Sequence, residues 1–458
     1  MKVINPATEE VIAEYAEQSW EEIDRAAEAA KSAQASWREQ SVKNRAKLIG
    51  NVGAVLRKRA GELSKLMTAE VGKPISGSES EVEKCAVCCD YFAEHAEEFL
   101  QPRMKASDAS RSYVRFDPLG VVLAIMPWNF PLWQTFRFAA PGLAAGNAGL
   151  LKHAPNVPGC ALATVDVFRE AGYPPGIFET VLIEDNALAE RLVAHPAIAA
   201  VTLTGSARAG SRVAAIAGSK LKKTVLELGG SDAFIVLADA DVLSVARAAA
   251  AARCINNGQS CIAAKRFIVD RSIAAEFEAA MTREMAAMRV GDPTQQATQI
   301  GPLARLDLLE NLDRQVRQSI EHGAKLLTGG KRLGDKRPGG KGFFYEPTVL
   351  ANVKPGMAAF VEETFGPVAA IIRADDAEQA VRLANDSPYG LGASIWTRDA
   401  KAAESLVGKI DAGCVCINGP VKSDPRLPFG GIKNSGWGRE LSDIGMHELM
   451  NIKTIWIA

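Results

Sequence analysis

The sequence predicts an α/β protein built from two doubly wound parallel sheets and a small β arm. Short apolar runs alternate with helical patterns up to about residue 230, and a second alternation runs from "SDAFIVLADADV" to about residue 430. Such alternation is typical of parallel strands joined by right-handed helical crossovers. The chain has 458 residues, more than one domain usually holds, so two or three domains are expected.

The N-terminal part is predicted to be helical to about residue 100. The stretch "SWEEIDRAAEAAKSAQASW" opens with a capping-box pattern, Ser19 with Glu22, and continues with the period of an amphipathic helix. Strands are predicted at "VVLAIMP", "AGLLKHA", "FETVLI", "AAVTLTG" and "KTVLELGG", with helical patterns between them. Residues 1–103 and 119–230 are therefore assigned to a first domain, and residues 231–430 to a second.

Two segments outside these domains are predicted to be extended. The stretch "SDASRSYVRFDPLGVV" alternates in a way that favours an arm or hairpin over residues 104–118. The end of the chain, "HELMNIKTIWIA", is apolar and strand-like, and residues 444–458 are grouped with the arm. Because an unpaired apolar strand needs a partner sheet, we expect a contact between subunits and a homodimer or homotetramer.

The overall composition argues against several classes of partner. Hydrophobic residues make up 47% and charged residues 23%, and the formal net charge is -1, so neither nucleic acid nor an anionic membrane is expected. The first residues lack the apolar core of a signal peptide, and the most apolar runs are interrupted by Pro and Asn. The eight cysteines fit reduced thiols in a cytoplasmic protein, and "CAVCC" lacks the second ligand pair of a metal site.

One cysteine stands apart from the other seven by its position. Cys261 follows the polar stretch "NNGQS" and precedes a short apolar run, with Lys265 and Arg266 close behind. From this position alone it is either a reactive thiolate or one more small buried residue, as most free cysteines are.

Three further places are candidates for chemistry. Gly205 and Ser206 join a strand to a helix, where backbone N–H groups can bind phosphate, although the spacing departs from G-x-G-x-x-G. Glu227 lies at the end of an apolar strand before two glycines and is either a general base or a solvated strand-end residue. Asn129, held between prolines in "MPWNFPLW", is either an oxyanion donor or an amide that satisfies a buried turn.

Seven motifs occur in an order that identifies a family. Along the chain they are "MPWNFP", "LLKHAPN", "TLTGS", "LELGG", "NNGQSC", "EETFGP" and "PFGGIKNSG". With them the chain resembles the aldehyde dehydrogenase superfamily over nearly its full length, and most nearly the short bacterial succinate-semialdehyde dehydrogenases. The resemblance implies a coenzyme-binding first domain, a catalytic second domain and a β oligomerisation arm. It also implies oxidation of succinate semialdehyde to succinate with NAD or NADP through a Cys thioester, or a broader specificity for aliphatic aldehydes.

The resemblance further implies roles for individual residues. Cys261 matches the nucleophile, Glu227 the general base and Asn129 the oxyanion donor. The residues that it implies for the coenzyme are Trp128, Lys152 at the adenosine ribose, Gly205 and Ser206 near the pyrophosphate, Glu363 at the nicotinamide ribose, and Phe365 beside it. No metal ion is implied.

Two departures from the family pattern leave the coenzyme and the substrate open. Pro155 stands where NAD-preferring relatives carry a glutamate, so nothing repels a 2′-phosphate, yet Pro155 offers no hydrogen bond to hold one. Arg137 and Ser423 match residues that bind the substrate carboxylate in the longer succinate-semialdehyde dehydrogenases, with Trp133 lining the mouth. The second arginine of those enzymes is Ile255 here, and Arg137 itself has the alternative role of a structural ion pair.

Other interpretations of these residues stay open. Lys422 or Arg426 is a further candidate for the carboxylate in place of the missing arginine. A coenzyme-A-acylating dehydrogenase would use a thiol in place of water, but Glu227 favours hydrolysis. A non-catalytic protein on the same fold is disfavoured because Cys261, Glu227 and Asn129 are all present.

Overall fold

The structure is a computed structural model that describes residues 1–334 and 340–458; residues 335–339 of the predicted second domain lie outside the described residues. Its helices are α1 (Trp20–Trp37), α2 (Val42–Lys58), α3 (Ala60–Val71), α4 (Ile75–Phe99), α5 (Trp133–Ala144), α6 (Pro158–Glu170), α7 (Asn186–Ala194), α8 (Ala207–Ser219), α9 (Val242–Cys254), α10 (Ala274–Ala286), α11 (Leu306–Glu321), α12 (Ala358–Val361), α13 (Ala377–Asn385), α14 (Ala400–Val407) and α15 (Ser442–Glu448). Its strands are β1 (Lys2–Ile4), β2 (Val11–Glu14), β3 (Arg103–Met104), β4 (Arg111–Pro118), β5 (Val121–Met126), β6 (Ala148–His153), β7 (Phe178–Val181), β8 (Ile198–Thr204), β9 (Lys223–Glu227), β10 (Ala233–Val236), β11 (Arg266–Asp270), β12 (Lys325–Thr328), β13 (Thr348–Ala351), β14 (Val368–Ala374), β15 (Tyr389–Gly390), β16 (Gly392–Trp396), β17 (Cys414–Ile417), β18 (Ile432–Lys433), β19 (Gly436–Trp437) and β20 (Met450–Ile457).

The N-terminal helices follow the sequence pattern closely. Ser19 Oγ accepts a hydrogen bond from the Glu22 N–H, and the Glu22 carboxylate accepts one from the Ser19 N–H at 2.8 Å, so the predicted capping box is present. Helix α4 ends at Phe99, as expected from the change of period near residue 100. Among the residues described by the structure, no helix is both long and apolar enough to cross a membrane.

The first sheet has the strand order β19-β9-β8-β5-β6-β7 and is parallel except for β19. Successive residues of β5 face opposite cores: Val121 and Leu123 pack with α1, α7 and α8, whereas Val122 and Ala124 pack with α2 to α6. The chain moves outward from β5 to β7 and then returns to β8. The strand order therefore reverses between β5 and β8, and ligands of open α/β sheets bind at the carboxyl ends of strands at such a point.

The second sheet has the order β12-β13-β14-β11-β10-β16-β17 and is parallel except for β12. Ala233 and Ile235 of β10 enter a core with α11 to α14, and Phe234 and Val236 enter another with α9 and α10. Helices thus cover both faces of both sheets, which confirms the predicted α/β class with two doubly wound parallel sheets. The domain boundaries themselves stay a prediction.

A third sheet is antiparallel and has the order β20-β4-β3. The terminal strand β20 pairs along its whole length with β4, so the chain itself supplies the partner that the sequence argument sought in a second subunit. The prediction that residues 444–458 are all extended is wrong at its start, because residues 444–448 belong to α15. Helix α15 stacks the His447 ring on Phe116, with centroids 3.9 Å apart. Strand β20 remains a sheet edge and exposes Ile452 and Trp456.

A short strand near the end of the chain, β19, closes the first sheet beside β9. Gly436 pairs with Glu227, and Trp437 pairs with Leu226. Gly436 has φ 106°, and a Cβ at this position would lie 2.0 Å from the Leu226 carbonyl oxygen. Since only glycine accepts both this conformation and this approach, Gly436 fixes the backbone at the end of β9.

We expect Gly436→Ala to lower the free energy of unfolding by about 3 kcal/mol, because its Cβ meets backbone and its φ is unfavourable. Chemical denaturation followed by tryptophan fluorescence measures this loss. Gly218→Ala is the matched control: Gly218 lies in α8 with open space around its Cβ position, and we expect no loss of stability there. Equal stability of the two variants would contradict the described pairing of β19.

Candidate active site

Cys261 follows a loop of unusual conformation that joins α9 to β11. Asn256 and Asn257 have φ 52° and 59°, and Gly258 has φ 76°. Asparagine and glycine are the residues that tolerate this left-handed conformation best. A Cβ at Gly258 would lie 2.2 Å from the Gly366 carbonyl oxygen, and the Asn257 side-chain amide donates to two backbone carbonyls. The loop is therefore rigidly fixed, and with it the position of Cys261.

Two cavities meet at Cys261. The first, of about 330 Å³, lies at the carboxyl ends of β5 and β8, where the strand order reverses. The second, of about 320 Å³, lies between α4 and α5. Cys261 and Gln134 belong to the walls of both. Ligands that enter from the two sides would therefore reach the same sulfur atom, and for convenience we call the spaces the β5/β8 cavity and the α4/α5 cavity.

The thiol of Cys261 is half-buried at this junction. Burial raises the pKa of the Cys261 thiol to about 12, while the positive charges of Arg137 and Lys265 act in the opposite direction. Glu363 and Glu227 add to the rise. In the structure as it stands the thiol form therefore dominates at neutral pH.

Asn129 lies beside Cys261 in the wall of the β5/β8 cavity. Its side-chain Nδ2 donates to the Gln259 carbonyl at 3.0 Å, and its own backbone carbonyl accepts from Asn256 Nδ2 at 2.6 Å. These bonds tie the loop after β5 to the loop before Cys261, so an amide donor and the sulfur are held on two joined loops.

Glu227 lies at the end of β9 and is 2% exposed, but it is not part of the wall of either cavity. Within the described part of the chain neither of its carboxylate oxygens has a hydrogen-bond partner. Burial raises the pKa of Glu227 well above its ordinary value; Glu440 raises it further, and Arg137 and Arg439 lower it. The structure thus places Glu227 outside both cavity walls as a buried carboxyl group whose pKa is raised by burial.

Arg137 forms a structural ion pair, the role that the sequence offered as the alternative to binding the substrate carboxylate. Its Nε atom lies 2.7 Å from Glu440 Oε2, and both side chains are buried. Its Nη2 atom donates to Thr204 Oγ1 at 3.1 Å, and the guanidinium lies 4.9 Å from the centroid of the Phe429 ring. Arg137 also contributes to the wall of the α4/α5 cavity, but its charge is already balanced by a residue that the sequence argument missed.

The α4/α5 cavity brings together the other two predicted substrate residues. Ser423 Oγ accepts a hydrogen bond from Trp133 Nε1 at 2.9 Å, and both residues lie in the cavity wall. A second donor to Ser423 Oγ is Lys84 Nζ, also at 2.9 Å. Lys84 lies in the middle of α4 and was not among the predicted site residues. Arg426, by contrast, is exposed and paired with Asp424.

Five of the six predicted coenzyme residues line the β5/β8 cavity: Trp128, Gly205, Ser206, Glu363 and Phe365. The sixth, Lys152, lies near the end of β6 beside β5 and is not part of the wall. Ser206 caps α8, whose N-terminal N–H groups and helix dipole favour an anion at this end.

The wall of the β5/β8 cavity contains a carboxylate, Glu363, that can accept hydrogen bonds from the ribose hydroxyls of a dinucleotide. Glu363 Oε1 accepts from the Gly230 N–H at 3.0 Å and lies 3.5 Å from Lys265 Nζ, whereas Glu363 Oε2 has no hydrogen-bond partner in the described residues. A Cβ at Gly229 would lie 2.4 Å from that free oxygen, so glycine is needed to leave it room. One carboxylate oxygen is therefore fixed and the other is left to accept ribose hydroxyls.

Comparison with known proteins agrees with this geometry. The model of the aldehyde dehydrogenase family matches residues 1–455. A probable succinate-semialdehyde dehydrogenase [NADP(+)] of Synechocystis sp. is 48% identical over 455 residues, which covers 99% of each chain. The succinate semialdehyde dehydrogenase [NAD(P)+] Sad of Escherichia coli is 47% identical over 453 residues, covering 99% of this chain and 97% of the relative.

Solved structures show the same fold. A structure described as giving insight into cofactor and substrate selection by Gox0499 has a TM-score of 0.97 at 39% identity, and it covers 100% of this chain and 99% of its own. The succinic semialdehyde dehydrogenase of Streptococcus pyogenes in complex with NADP+ has a TM-score of 0.96 at 34% identity with the same coverage. The family predicted from the seven motifs is thereby confirmed, and the chain belongs to the aldehyde dehydrogenase family.

Proposed function

We propose that the protein oxidises succinate semialdehyde to succinate with NAD or NADP, through a thioester on Cys261. The observation that carries the proposal is the position of Cys261, where a cavity suited to a dinucleotide meets a cavity with cationic and hydroxyl groups in its wall. The relatives named as succinate-semialdehyde dehydrogenases, at 47% and 48% identity, support the choice of substrate.

Either coenzyme fits the residues that would hold it. We propose that Trp128, Gly205, Ser206, Glu363 and Phe365 form its site, with Lys152 near the adenosine ribose. When bound, NAD or NADP supplies the acceptor for the hydride that leaves the aldehyde carbon. The similar enzymes of Synechocystis sp. and Escherichia coli are named for NADP+ and for NAD(P)+ respectively, and Pro155 offers no carboxylate that would repel a 2′-phosphate.

Formation of the thioester needs a deprotonated Cys261. Because burial holds the thiol pKa near 12, the proton must be taken up by a base or the thiolate must be stabilised by the cations nearby, Arg137 and Lys265. The sulfur then attacks the aldehyde carbon. We assign stabilisation of the resulting oxyanion to the Asn129 side-chain amide and the Cys261 backbone N–H, and one such donor typically contributes about 3 to 4 kcal/mol.

Hydrolysis of the thioester needs a base for the attacking water, and we assign this role to Glu227. Burial, and next to it the charge of Glu440, raises the pKa of Glu227, so its carboxylate is a stronger base than an exposed one. Neither carboxylate oxygen has a hydrogen-bond partner in the part of the chain that the structure describes, so both are available to a water molecule. Glu227 also supports hydrolysis over transfer to coenzyme A, where no such base for water is required.

We further propose a homodimer or homotetramer in the cytoplasm. Strand β20 is a free edge with exposed Ile452, Trp456 and Ile457, and an apolar edge of this kind is suited to pairing with another chain. The eight cysteines are all free thiols, as in proteins of a reducing compartment.

A mass measurement checks the assembly. We expect light scattering at micromolar concentration to give two or four times the chain mass of 48.8 kDa. Replacing the exposed Ile452 with Lys should shift the mass toward the monomer, because a charged side chain on an edge strand disfavours pairing with another chain. A monomeric mass for the unmodified protein would contradict the proposal.

Glu227→Gln separates the two halves of the reaction. We expect a burst of NADH or NADPH of about one equivalent per site, followed by slow turnover, because the amide cannot deprotonate water. Stopped-flow absorbance measures the burst, and Cys261→Ser, which should give none, is the control. Absence of a burst from Glu227→Gln would mean that Glu227 also takes the proton of Cys261.

A panel of aldehydes on the unmodified enzyme tests the substrate. We expect kcat/KM for succinate semialdehyde to exceed that for butanal by about 10- to 150-fold, since a charge-assisted hydrogen bond to the carboxylate contributes about 1.5 to 3 kcal/mol. Glutarate semialdehyde and benzaldehyde, each with NAD and NADP, complete the panel. Equal values for butanal and succinate semialdehyde would make the protein a general aliphatic aldehyde dehydrogenase, to which the aromatic rings of Phe130 and Trp133 in the cavity are also suited.

A further inference from the structure

Lys84 is a half-buried cation that has no anionic partner among the described residues. Its Nζ atom donates to Ser423 Oγ at 2.9 Å and lies 4.2 Å from the centroid of the Trp133 ring. Within residues 1–334 and 340–458 no carboxylate lies within ion-pair distance of this ammonium group. Partial burial of a charge without a counter-charge costs free energy, and an anionic ligand would offset that cost.

The other cations around the α4/α5 cavity are already neutralised. Lys73 is paired with Glu81, and Arg137 is paired with Glu440. Lys84 therefore gives the cavity a net positive charge on the wall formed by α4 and the Ser423 loop. A ligand that enters this cavity meets one charge that is not yet compensated.

The hydrogen bonds of Ser423 also indicate that this part of the cavity would bind an anion. Its hydroxyl oxygen accepts from both Lys84 Nζ and Trp133 Nε1, which uses both acceptor positions and leaves the hydroxyl hydrogen to donate. Lys84 retains two further N–H donors. The two side chains thus present neighbouring donors to the same cavity, an arrangement that matches the two oxygens of a carboxylate.

We propose that Lys84, together with Ser423, binds the terminal carboxylate of the substrate while its aldehyde reaches Cys261. The inference rests on the proposed function and adds to it the residue that determines specificity. Lys84 would then supply the second positive charge that an arginine provides in the longer enzymes. The position of that arginine is Ile255 here, which lines the same cavity.

The first test compares substrates on Lys84→Met, which keeps an unbranched side chain against Trp133 but loses the charge. We expect the ratio of kcat/KM for succinate semialdehyde to that for butanal to fall about 10- to 150-fold, mainly through KM of the semialdehyde. Lys84→Arg keeps the charge and should restore most of the ratio. A melting curve of each variant establishes that it folds.

The second test is the pH profile. Burial, and next to it the charge of Arg137, lowers the pKa of Lys84 to about 8, while Glu81, Cys85 and Cys88 oppose the shift. The other charged groups near the site are Glu440, which pairs with Arg137, and Asp424, which pairs with Arg426. Because only the protonated amine binds a carboxylate, KM for the semialdehyde should rise as pH increases through about 8 in the unmodified enzyme. In Lys84→Arg, which stays charged, this rise should be absent.

A third measurement separates failure of this inference from failure of the proposed function. Calorimetric binding of succinate to the unmodified protein and to Lys84→Met reports the carboxylate contact without turnover. If the unmodified enzyme prefers the semialdehyde and Lys84→Met keeps both that preference and the succinate affinity, Lys84 is not the binding residue. If Lys84→Met slows both aldehydes equally, its role is packing alone. If the unmodified enzyme shows no preference, the substrate proposal fails, and weaker succinate binding by Lys84→Met would still support a carboxylate site.

Discussion

The buried ion pair between Arg137 and Glu440 is the interaction on which the rest of the active site depends. Arg137 comes from α5 beside the first sheet, whereas Glu440 follows β19, so the pair fastens a late segment of the chain over β8 and β9. Breaking such a pair leaves an uncompensated buried charge, at a cost of about 3 to 5 kcal/mol. The same two charges also affect the pKa values of neighbouring groups, beside the larger effect of burial. Glu440 adds to the rise at Glu227, whereas Arg137 opposes the rise at Cys261 and adds to the lowering at Lys84. Cys261, Glu227 and Lys84 are thus all affected by the charges of this one ion pair.

Much of the architecture could be predicted because it is encoded in local patterns. Alternating strand and helix periods gave both doubly wound sheets, and the capping box at Ser19 gave the start of α1. The positions of Cys261 and Asn129 on joined loops also followed from their motifs, since each motif carries the turn residues that build its loop. The error at α15 has a local cause as well. Apolar residues of "HELM" suit a strand or a short helix equally, and contact with Phe116 decides between them.

What could not be predicted depends on residues far apart in the chain. Arg137 and Glu440 are separated by about three hundred positions, and no period or spacing links them. Lys84 falls within a helical pattern of mixed polar and apolar residues, where a lysine usually marks a solvated face. The contacts of Lys84 with Ser423 and with the Trp133 ring depend on segments that are distant from it in the sequence. From its position in the sequence Glu227 was either a general base or a solvated strand-end residue, and its burial beside β19 could not be predicted from local pattern.

The pairing of β19 with β9 has a consequence for biosynthesis. A ribosome releases the other strands of both large sheets before it releases β19 and Glu440. A nascent chain can therefore form most of its two cores while Glu227 still lacks its neighbouring strand and Arg137 still lacks its counter-charge. The neighbours of Glu227 and Arg137 that come from this late segment are absent until it is released, so the candidate site cannot be complete in a shorter nascent chain.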